Sequence, residues 1–590
     1  MRTHYPRTAH LPWSPGASAD DLRAGDLSGF AGLEVVVTEK LDGENTTLYR
    51  DGLHARSLDS AHHPSRAWVK ALQGRIAHAI PPGRRVCGEN LYARHSIRYD
   101  DLDSWFSAFS VWDGEHCLGW DDTVRFARRL GVPTPPVLWR GVFDERALRA
   151  LRLDTERQEG YVVRTVAGFG RAEFARRVAK WVRPAHVRTG THWMHAAVVP
   201  NGLGPRAALW DAASGGPADP AALLAALDLD PQDAARPPRT GTAAGTAAAA
   251  VAEVTGRLDA LGRCGAARLA GVLAALLHGG RRAALAPALV APLGLPLARR
   301  VADLVGLHRA LHRPYPDQDR RAGLVRLSYA ADLGVLHAVA LAATAGRTDP
   351  QAGEDREQVE WSELHAQEAG LLGEAPLAPL RTGLRAALDG LPAAAADRCW
   401  AEAREGFALG RISTVEEAAA RGWRWRTGDF PRLVLTVGPA GSGKSTFARA
   451  LPGVDETVSL DDLRAARGCR SDQRANPELL RAALARLDEA LTGRRTVVWD
   501  ATSLNQQQRS LVHAVAARRD ALTTHAVLLV TGAELARRNA HREHPVPPPV
   551  LAAQLGRLGQ PYPGQAHRTW YVGPDGAVGD RDGTLEDEEF

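Results

Sequence analysis

The chain has 590 residues, too many for one hydrophobic core, so roughly three to five domains are expected. Its 73 basic against 68 acidic residues leave a formal charge of +5, which permits nucleic-acid binding without demanding it. With no run of about 18 apolar residues, and no apolar signal core after Met1-Arg2-Thr3-His4-Tyr5-Pro6, neither a transmembrane helix nor secretion is expected.

The five cysteines (Cys87, Cys117, Cys264, Cys399, Cys469) lie far apart, with no Cys-x-x-Cys pair. That spacing points to a reducing cytoplasm and gives no cysteine zinc site. Only four basic residues are lysine: Lys40, Lys70, Lys180 and Lys444. Arginine serves as well as lysine on a solvated face, but not where a deprotonatable amine or a compact ammonium is required. The positions that kept lysine therefore mark candidate chemistry.

In chain order, the apolar run Leu33 to Val37 reads as a strand ending in Thr38-Glu39-Lys40-Leu41-Asp42-Gly43-Glu44-Asn45-Thr46, with a tight turn at Asp42-Gly43. A lysine at a strand end, with a carboxylate two residues on, is a candidate covalent nucleophile. Leu48 to Ser57 reads as a hairpin turned at Asp51-Gly52, and a helix is expected over Ala67 to Ile80. Strands are expected at Arg85 to Tyr92 and Trp105 to Asp113, then around Glu159-Gly160-Tyr161-Val162-Val163-Arg164 and Arg177 to Pro184.

This ordered set, over about residues 34 to 184, resembles the nucleotidyltransferase motifs of ATP-dependent RNA ligases, the phage and bacterial branch that repairs nicked RNA. The resemblance implies that Lys40 attacks the α-phosphate of ATP and carries AMP as a phosphoramidate. Arg56 would contact phosphate or the RNA end, Glu89 the ribose and Phe109 the adenine face. Glu159 would stand near a Mg²⁺ (or Mn²⁺) ion, Lys180 would hold the α-phosphate, and Glu39 would join the ATP contacts. An amine attacks only when unprotonated, so a lowered pKa is expected for Lys40. The family often has a second lysine two residues after the one matched by Lys180. Val182 fills that position here, and Arg183 next to it is assigned the work. The β-rich OB domain of DNA ligases and capping enzymes has no counterpart after His195, which favours RNA.

Residues 201–246 have the Ala/Gly/Pro-rich composition of a linker, with a short helix at Ala221 to Leu227. From about Ala247 to Arg424 the apolar spacing is helical throughout. Within it, Ala274 to Gly280 and Val301 to His308 resemble HD-domain metal phosphohydrolases, which bind metal through a His, a His-Asp pair and a distant Asp. Gly279 replaces the paired aspartate after His278, no histidine lies between His195 and His278, and neither Asp332 nor Asp349 stands in a matching context. The expectation is an HD-like scaffold without its metal site, with His278 a helix-end or core histidine.

The strand Arg432 to Val437 runs into Gly438-Pro439-Ala440-Gly441-Ser442-Gly443-Lys444-Ser445-Thr446 and then a helix, a Walker A loop in its proper setting. Gly438, Gly441 and Gly443 let backbone N–H groups cradle phosphates, Lys444 reaches the β/γ-phosphates, Ser445 faces Mg²⁺ and Thr446 completes the loop. The features that follow resemble 5′-OH polynucleotide kinases over about residues 432 to 560. By that resemblance Asp461 is the general base on an RNA 5′-OH and Arg464 holds an acceptor phosphate. Asp500 sits near the acceptor or metal. Arg538 and Arg542, one helical turn apart, close on the donor phosphates. Leu585 to Phe590 reads as a frayed acidic tail.

The expected architecture is multidomain: an α+β nucleotidyltransferase domain (1–200), a linker (201–246), an all-α HD-like domain (247–425) and an α/β P-loop kinase domain with a parallel sheet (426–590). The expected function is RNA end repair, a kinase phosphorylating 5′-OH ends and a ligase sealing them to 3′-OH ends. Its partners would be ATP and broken RNA, with a separate enzyme healing 3′ ends. A DNA-joining ligase-kinase, a small-molecule kinase and a catalytically quiet ATP-dependent nucleic-acid sensor remain open alternatives.

Overall fold

The computed structural model describes residues 2–58, 62–184, 197–229, 243–466, 476–542 and 545–586. The chain forms two compact units, residues 1–227 with 255–272 and residues 228–254 with 273–590. Among the described residues no single helix is long and apolar enough to cross a membrane.

The strands of the first unit are β1 (Ala9–His10), β2 (Glu34–Lys40), β3 (Glu44–Tyr49), β4 (Gly52–His54), β5 (Arg84–Asn90), β6 (Phe106–Asp113), β7 (His116–Cys117), β8 (Val137–Val142), β9 (Gly160–Thr165), β10 (Phe169–Gly170) and β11 (Val178–Val182). They form one sheet of order β1-β11-β9-β2-β8 and another of order β10-β7-β6-β5-β3-β4. Val35 and Val37 of β2 pack with Tyr161, Val163 and Ala179 on one face of the first sheet. Val162 and Val178, on its other face, pack with Cys87 and Trp112 of the second sheet. Strand side chains alternate, so Lys40 and Lys180 fall on the face turned to the second sheet and Glu39 falls on the opposite one. The far side of the second sheet is covered by the helices Ala67–Ile76 and Trp120–Leu130, through Val69, Leu72, Phe126 and Leu130.

Three local expectations shift. The helix expected to reach Ile80 ends at Ile76 and passes into a 3₁₀ turn, Ala77–Ala79. The hairpin turns at Arg50-Asp51, because Gly52 already pairs with Tyr49 in the ladder. Residues 201–227 hold more than the one short helix expected, which runs over Pro220–Leu227: a second helix, Ala207–Ala213, precedes it, and the two bury Leu209, Ala212, Leu223 and Leu227 within the first unit. The rest of the expected linker, residues 230–242, lies outside the described residues.

Residues 243–421 fold as successive helices, all but 255–272 of them in the second unit, the longest Pro350–Glu368. His278 lies just past the end of a helix, its Nδ1 2.8 Å from Ala275 O, and the His308 Nδ1 is 2.9 Å from Val305 O. Among the described residues no group of three His, Cys, Asp or Glu could hold a metal ion. The helices lead into β12 (Arg432–Val437), β13 (Glu456–Ser459), β14 (Thr496–Asp500), β15 (Leu522–Leu528), β16 (Arg568–Val572) and β17 (Val578–Asp582), in sheet order β13-β14-β12-β15-β16-β17. All neighbours are parallel except β17, which closes the edge antiparallel to β16.

The helical region and this sheet share one unit, joined by buried arginines. Arg282 donates to Asp303 at 2.6 Å and to the carbonyls of Gln560 and Pro561 at 2.5 and 2.9 Å. Arg299 ties Asp303 to Asp580 of β17, and Arg568 of β16 reaches Asp397 at 3.0 Å. The other Asp397 oxygen accepts the Leu585 N–H at 2.8 Å, and Leu585 is buried. The chain is therefore anchored where a frayed tail was expected to begin. Residues 587–590 lie outside the described residues.

Candidate active sites

Neighbouring strands of the first sheet bring Lys40 and Glu159 together. Lys40 ends β2 opposite Gly160 of β9, which puts the preceding Glu159 beside it, and Lys40 Nζ donates to Glu159 Oε2 at 2.5 Å. Glu89, near the end of β5, accepts the Gly43 N–H at 3.2 Å. Gly43 has to be glycine, because a Cβ there would lie 2.5 Å from Asn90 O. Burial pulls the Lys40 amine down, but Glu159 and Glu89 outweigh it and leave the amine raised above the ordinary lysine range. The expected lowering is thus reversed, because two carboxylates stabilise the ammonium. Lys180 shows the opposite balance: burial and then the charge of Lys40 lower it, against the pull of Asp21 and Glu159.

Phe109 reaches the same face through a bulge. The β5–β6 register slips between Cys87 and Gly88, so Phe109 faces no residue across the ladder. Bulges of this kind re-aim a side chain beside a site. Its half-buried ring lies edge-on to Tyr5, with centroids 5.2 Å apart. Arg56 is exposed, and its charge acts on Lys180.

Two assigned residues point elsewhere. Glu39 lies on the other face of β2 and accepts from Gln158 at 3.0 Å. The buried Arg183 donates its guanidinium to the Thr155 carbonyl, and its own N–H bonds to Glu159 O at 3.0 Å. The cause is strand periodicity: position 182 shares the Lys180 face and position 183 does not. Arg183 steadies the backbone that presents Glu159 and does not replace the missing lysine.

Other parts of the site come from segments with no motif. Asp42 Oδ2 accepts the N–H groups of Ser96 and Ile97, each at 2.8 Å, and the Asp42 N–H donates to Tyr99 Oη at 2.9 Å. Asp42 thereby fixes the turn after Lys40. His10 of β1 pairs in register with Lys180, and its Nδ1 lies 2.9 Å from Ser14 Oγ. Burial and then Lys180 push its pKa down to about 4, so it stands neutral behind that lysine.

Burial pushes the Glu89 carboxyl up to about 8; Lys40 opposes the shift, while Glu159 and Asp42 add to it. Between the ordinary value of 4.5 and about 8, the folded protein keeps a proton that the unfolded chain has lost. The stability supplied by this group is therefore complete at low pH and is lost as pH rises through that window. Glu89→Gln should flatten the dependence of the first unit's thermal midpoint on pH between 5 and 8, by on the order of a few degrees. Equal slopes in wild type and variant would contradict the assignment.

In the second unit, β12 leads into the loop Gly438 to Gly443 and the helix Lys444–Ala450. Gly441 and Gly443 adopt φ of +83° and +99°, which requires glycine, and a Cβ on Gly438 would lie 2.6 Å from Ser442 Oγ. Ser445 and Thr446 are exposed at the first turn of the helix. The Lys444 amine donates to Pro439 O at 2.7 Å. Burial lowers its pKa to about 8, with Asp500 and Asp461 pulling the other way. Asp500 ends β14, opposite Ser459 of β13, and is buried. Asp461 is exposed and pairs with Arg464 at 2.6 Å one turn on, so the assigned base and the assigned phosphate ligand hold each other. Arg538 donates to Glu534 at 2.6 Å, Pro574 O at 2.7 Å and the loop carbonyl Ser442 O at 3.4 Å. Arg542 lies beyond the end of that helix, Gly532–Ala540, so the two arginines do not share a helical face as expected. Gln554, which carried no signal in the sequence, accepts the Ala440 N–H of the loop at 2.8 Å.

The RNA ligase family model matches residues 33–182, and an AAA domain model matches residues 433–561. The chain thus carries an RNA ligase domain, a helical region and a P-loop kinase-like domain in that order. No curated protein sequence matches it. Among solved structures, an RNA ligase of Naegleria gruberi with ATP and Mn is 16% identical over 31% of this chain and 61% of that one, with a TM-score of 0.22. The same ligase with PPi matches at 16% identity, 31% and 61% coverage and a TM-score of 0.22. A gluconokinase from Sinorhizobium meliloti 1021 is 24% identical over 24% of this chain and 83% of that one, with a TM-score of 0.20. The chain spans about three-fifths of the length of these Naegleria ligases.

Proposed function

We propose that the chain is an RNA end-repair enzyme whose P-loop site phosphorylates 5′-OH ends and whose N-terminal site seals the resulting 5′-phosphate to a 3′-OH. The observation that carries this reading is the Lys40–Glu159 pair, with Glu89 and Lys180 acting on it electrostatically, inside the segment matched by the RNA ligase family. The Lys40 amine, after losing its proton, attacks the α-phosphorus of ATP. A nitrogen–phosphorus bond forms, the bond to the β-phosphate breaks and pyrophosphate leaves. Glu159 Oε2, 2.5 Å from the amine, is placed to take the proton. The ammonium of Lys180 offsets charge growing on the α-phosphate. The RNA 5′-phosphate then takes the AMP from Lys40, and attack by a 3′-OH closes the phosphodiester and releases AMP.

At the P loop, Asp461 accepts the proton of the 5′-OH as it attacks the γ-phosphorus, and ADP leaves. The oxygen donors Glu159 in one site and Ser445 with Asp500 in the other would hold a Mg²⁺ or Mn²⁺ ion, both hard cations that prefer oxygen. That ion supplies neutralisation of phosphate charge.

The acceptor decides this reading from its alternatives. Offered 5′-OH RNA, 5′-OH DNA, nucleosides and gluconate in competition, the full chain should transfer the γ-phosphate of ATP to 5′-OH RNA. It should also join a nick whose 3′-OH side is RNA in preference to an all-DNA nick. Transfer to a small molecule alone would make the C-terminal unit a metabolite kinase. Binding of RNA and ATP without any transfer would make the protein a sensor.

A further inference from the structure

Pro439 O and the Ala440 N–H belong to one peptide group, and that group is held from both sides. Lys444 Nζ donates to Pro439 O at 2.7 Å, and Gln554 Oε1 accepts the Ala440 N–H at 2.8 Å. Lys444 is the residue that reaches β- and γ-phosphates in a Walker A loop. The peptide under its amine therefore lies where the outer phosphates settle, and Ala440 offers them a backbone donor already taken by Gln554.

Gln554 is held firmly on that donor. Its helix, Pro548–Arg557, is fixed at the far end by Arg281, which donates to Leu555 O and Gly556 O at 3.0 Å each. The chain just beyond is gripped by Arg282 through Gln560 O and Pro561 O, and the Gly559 N–H bonds to Leu504 O at 2.8 Å. These bonds hold the base of the helix while Gln554 remains only partly buried at the loop.

Resting on the P loop as an ATP site, we propose that Gln554 is a specificity-determining residue that competes with the terminal phosphate of a nucleoside triphosphate for the Ala440 N–H. A triphosphate displaces the Gln554 amide from that donor, whereas a diphosphate, lacking the outermost phosphate, leaves it in place. The residue thus sets the ratio of ATP to ADP affinity without entering the chemistry.

The test is calorimetric titration of ATP and of ADP into the full chain, taking as P-loop binding the component that Lys444→Ala removes. Gln554→Ala should tighten ATP binding about fivefold, the scale of one exchanged hydrogen bond, and leave ADP unchanged. Gln554→Glu, which keeps the acceptor and adds a negative charge beside the phosphates, should weaken ATP more than ADP. Unchanged or weaker ATP binding in Gln554→Ala, or equal tightening of both nucleotides, would overturn the proposal. Nucleotide binding does not depend on the acceptor, so failure to phosphorylate RNA would count against the proposed function and not against Gln554.

Discussion

Lys40→Ala abolishes covalent transfer of AMP to the protein, with a loss of at least about 10⁴-fold, the scale of removing a nucleophile. Lys40→Arg fails equally, because a guanidinium does not give up its proton near neutral pH. The arginine variant keeps the charge beside Glu159, so its failure separates nucleophilicity from electrostatics. Glu159, joined by Glu89 once that carboxyl ionises near pH 8, holds the amine protonated, so labelling of wild type should quicken as pH rises through neutrality and beyond. Phosphate transfer by the P-loop site should be unchanged in both variants. The measurement is incubation with α-labelled ATP and a divalent metal, followed by denaturing electrophoresis. Normal labelling of Lys40→Ala would remove Lys40 from its role.

Lys444→Met has two effects of opposite sign. Phosphate transfer falls by about 10² to 10³-fold, because the cation on the outer phosphates is lost while Lys40 labelling persists. The second unit, in contrast, becomes more stable. The amine is buried, and its pKa lies at about 8 against the ordinary 10.5. Near pH 7 both folded and unfolded chains are protonated here, so the folded protein bears the whole cost of the buried charge. That cost is on the order of 3 kcal/mol. As pH rises from 8 towards 10.5 the folded protein sheds its proton first, and the advantage of Lys444→Met shrinks. A variant less stable than wild type at pH 7, or a difference independent of pH, would contradict this.

The lysines were legible in the sequence because the chain is otherwise arginine-rich. Lys40, Lys180 and Lys444 are three of its four lysines; the first two fall on one face of a sheet and the third opens the helix after the P loop. Glu89 and Phe109 were placed by motif order, but their convergence depends on strand register and a bulge, which no local pattern encodes. The role of Asp42 was hidden because its partners, Ser96, Ile97 and Tyr99, lie some fifty residues on in a segment without periodicity. Arg183 was misassigned for a reason available in the sequence: period-two alternation gives the Lys180 face to Val182. The helix at 220–227 was legible, but the one at 207–213 was not, because an alanine-rich segment shows little contrast between buried and exposed faces. The join between helices and kinase sheet was missed because arginine reads as surface, whereas Arg282, Arg299 and Arg568 bury their guanidinium groups among carboxylates and carbonyls.

The central claim is that one chain makes a 5′-phosphate and then seals it. The direct test supplies γ-labelled ATP and a nicked duplex with 5′-OH and 3′-OH RNA ends at the nick. The label in the joined strand is then challenged with phosphatase. The account predicts a longer strand whose label resists phosphatase, since the γ-phosphate has become the junction phosphodiester, and no such strand with Lys444→Met. Label that stays phosphatase-sensitive on an unjoined strand, or no label on RNA at all, would contradict it.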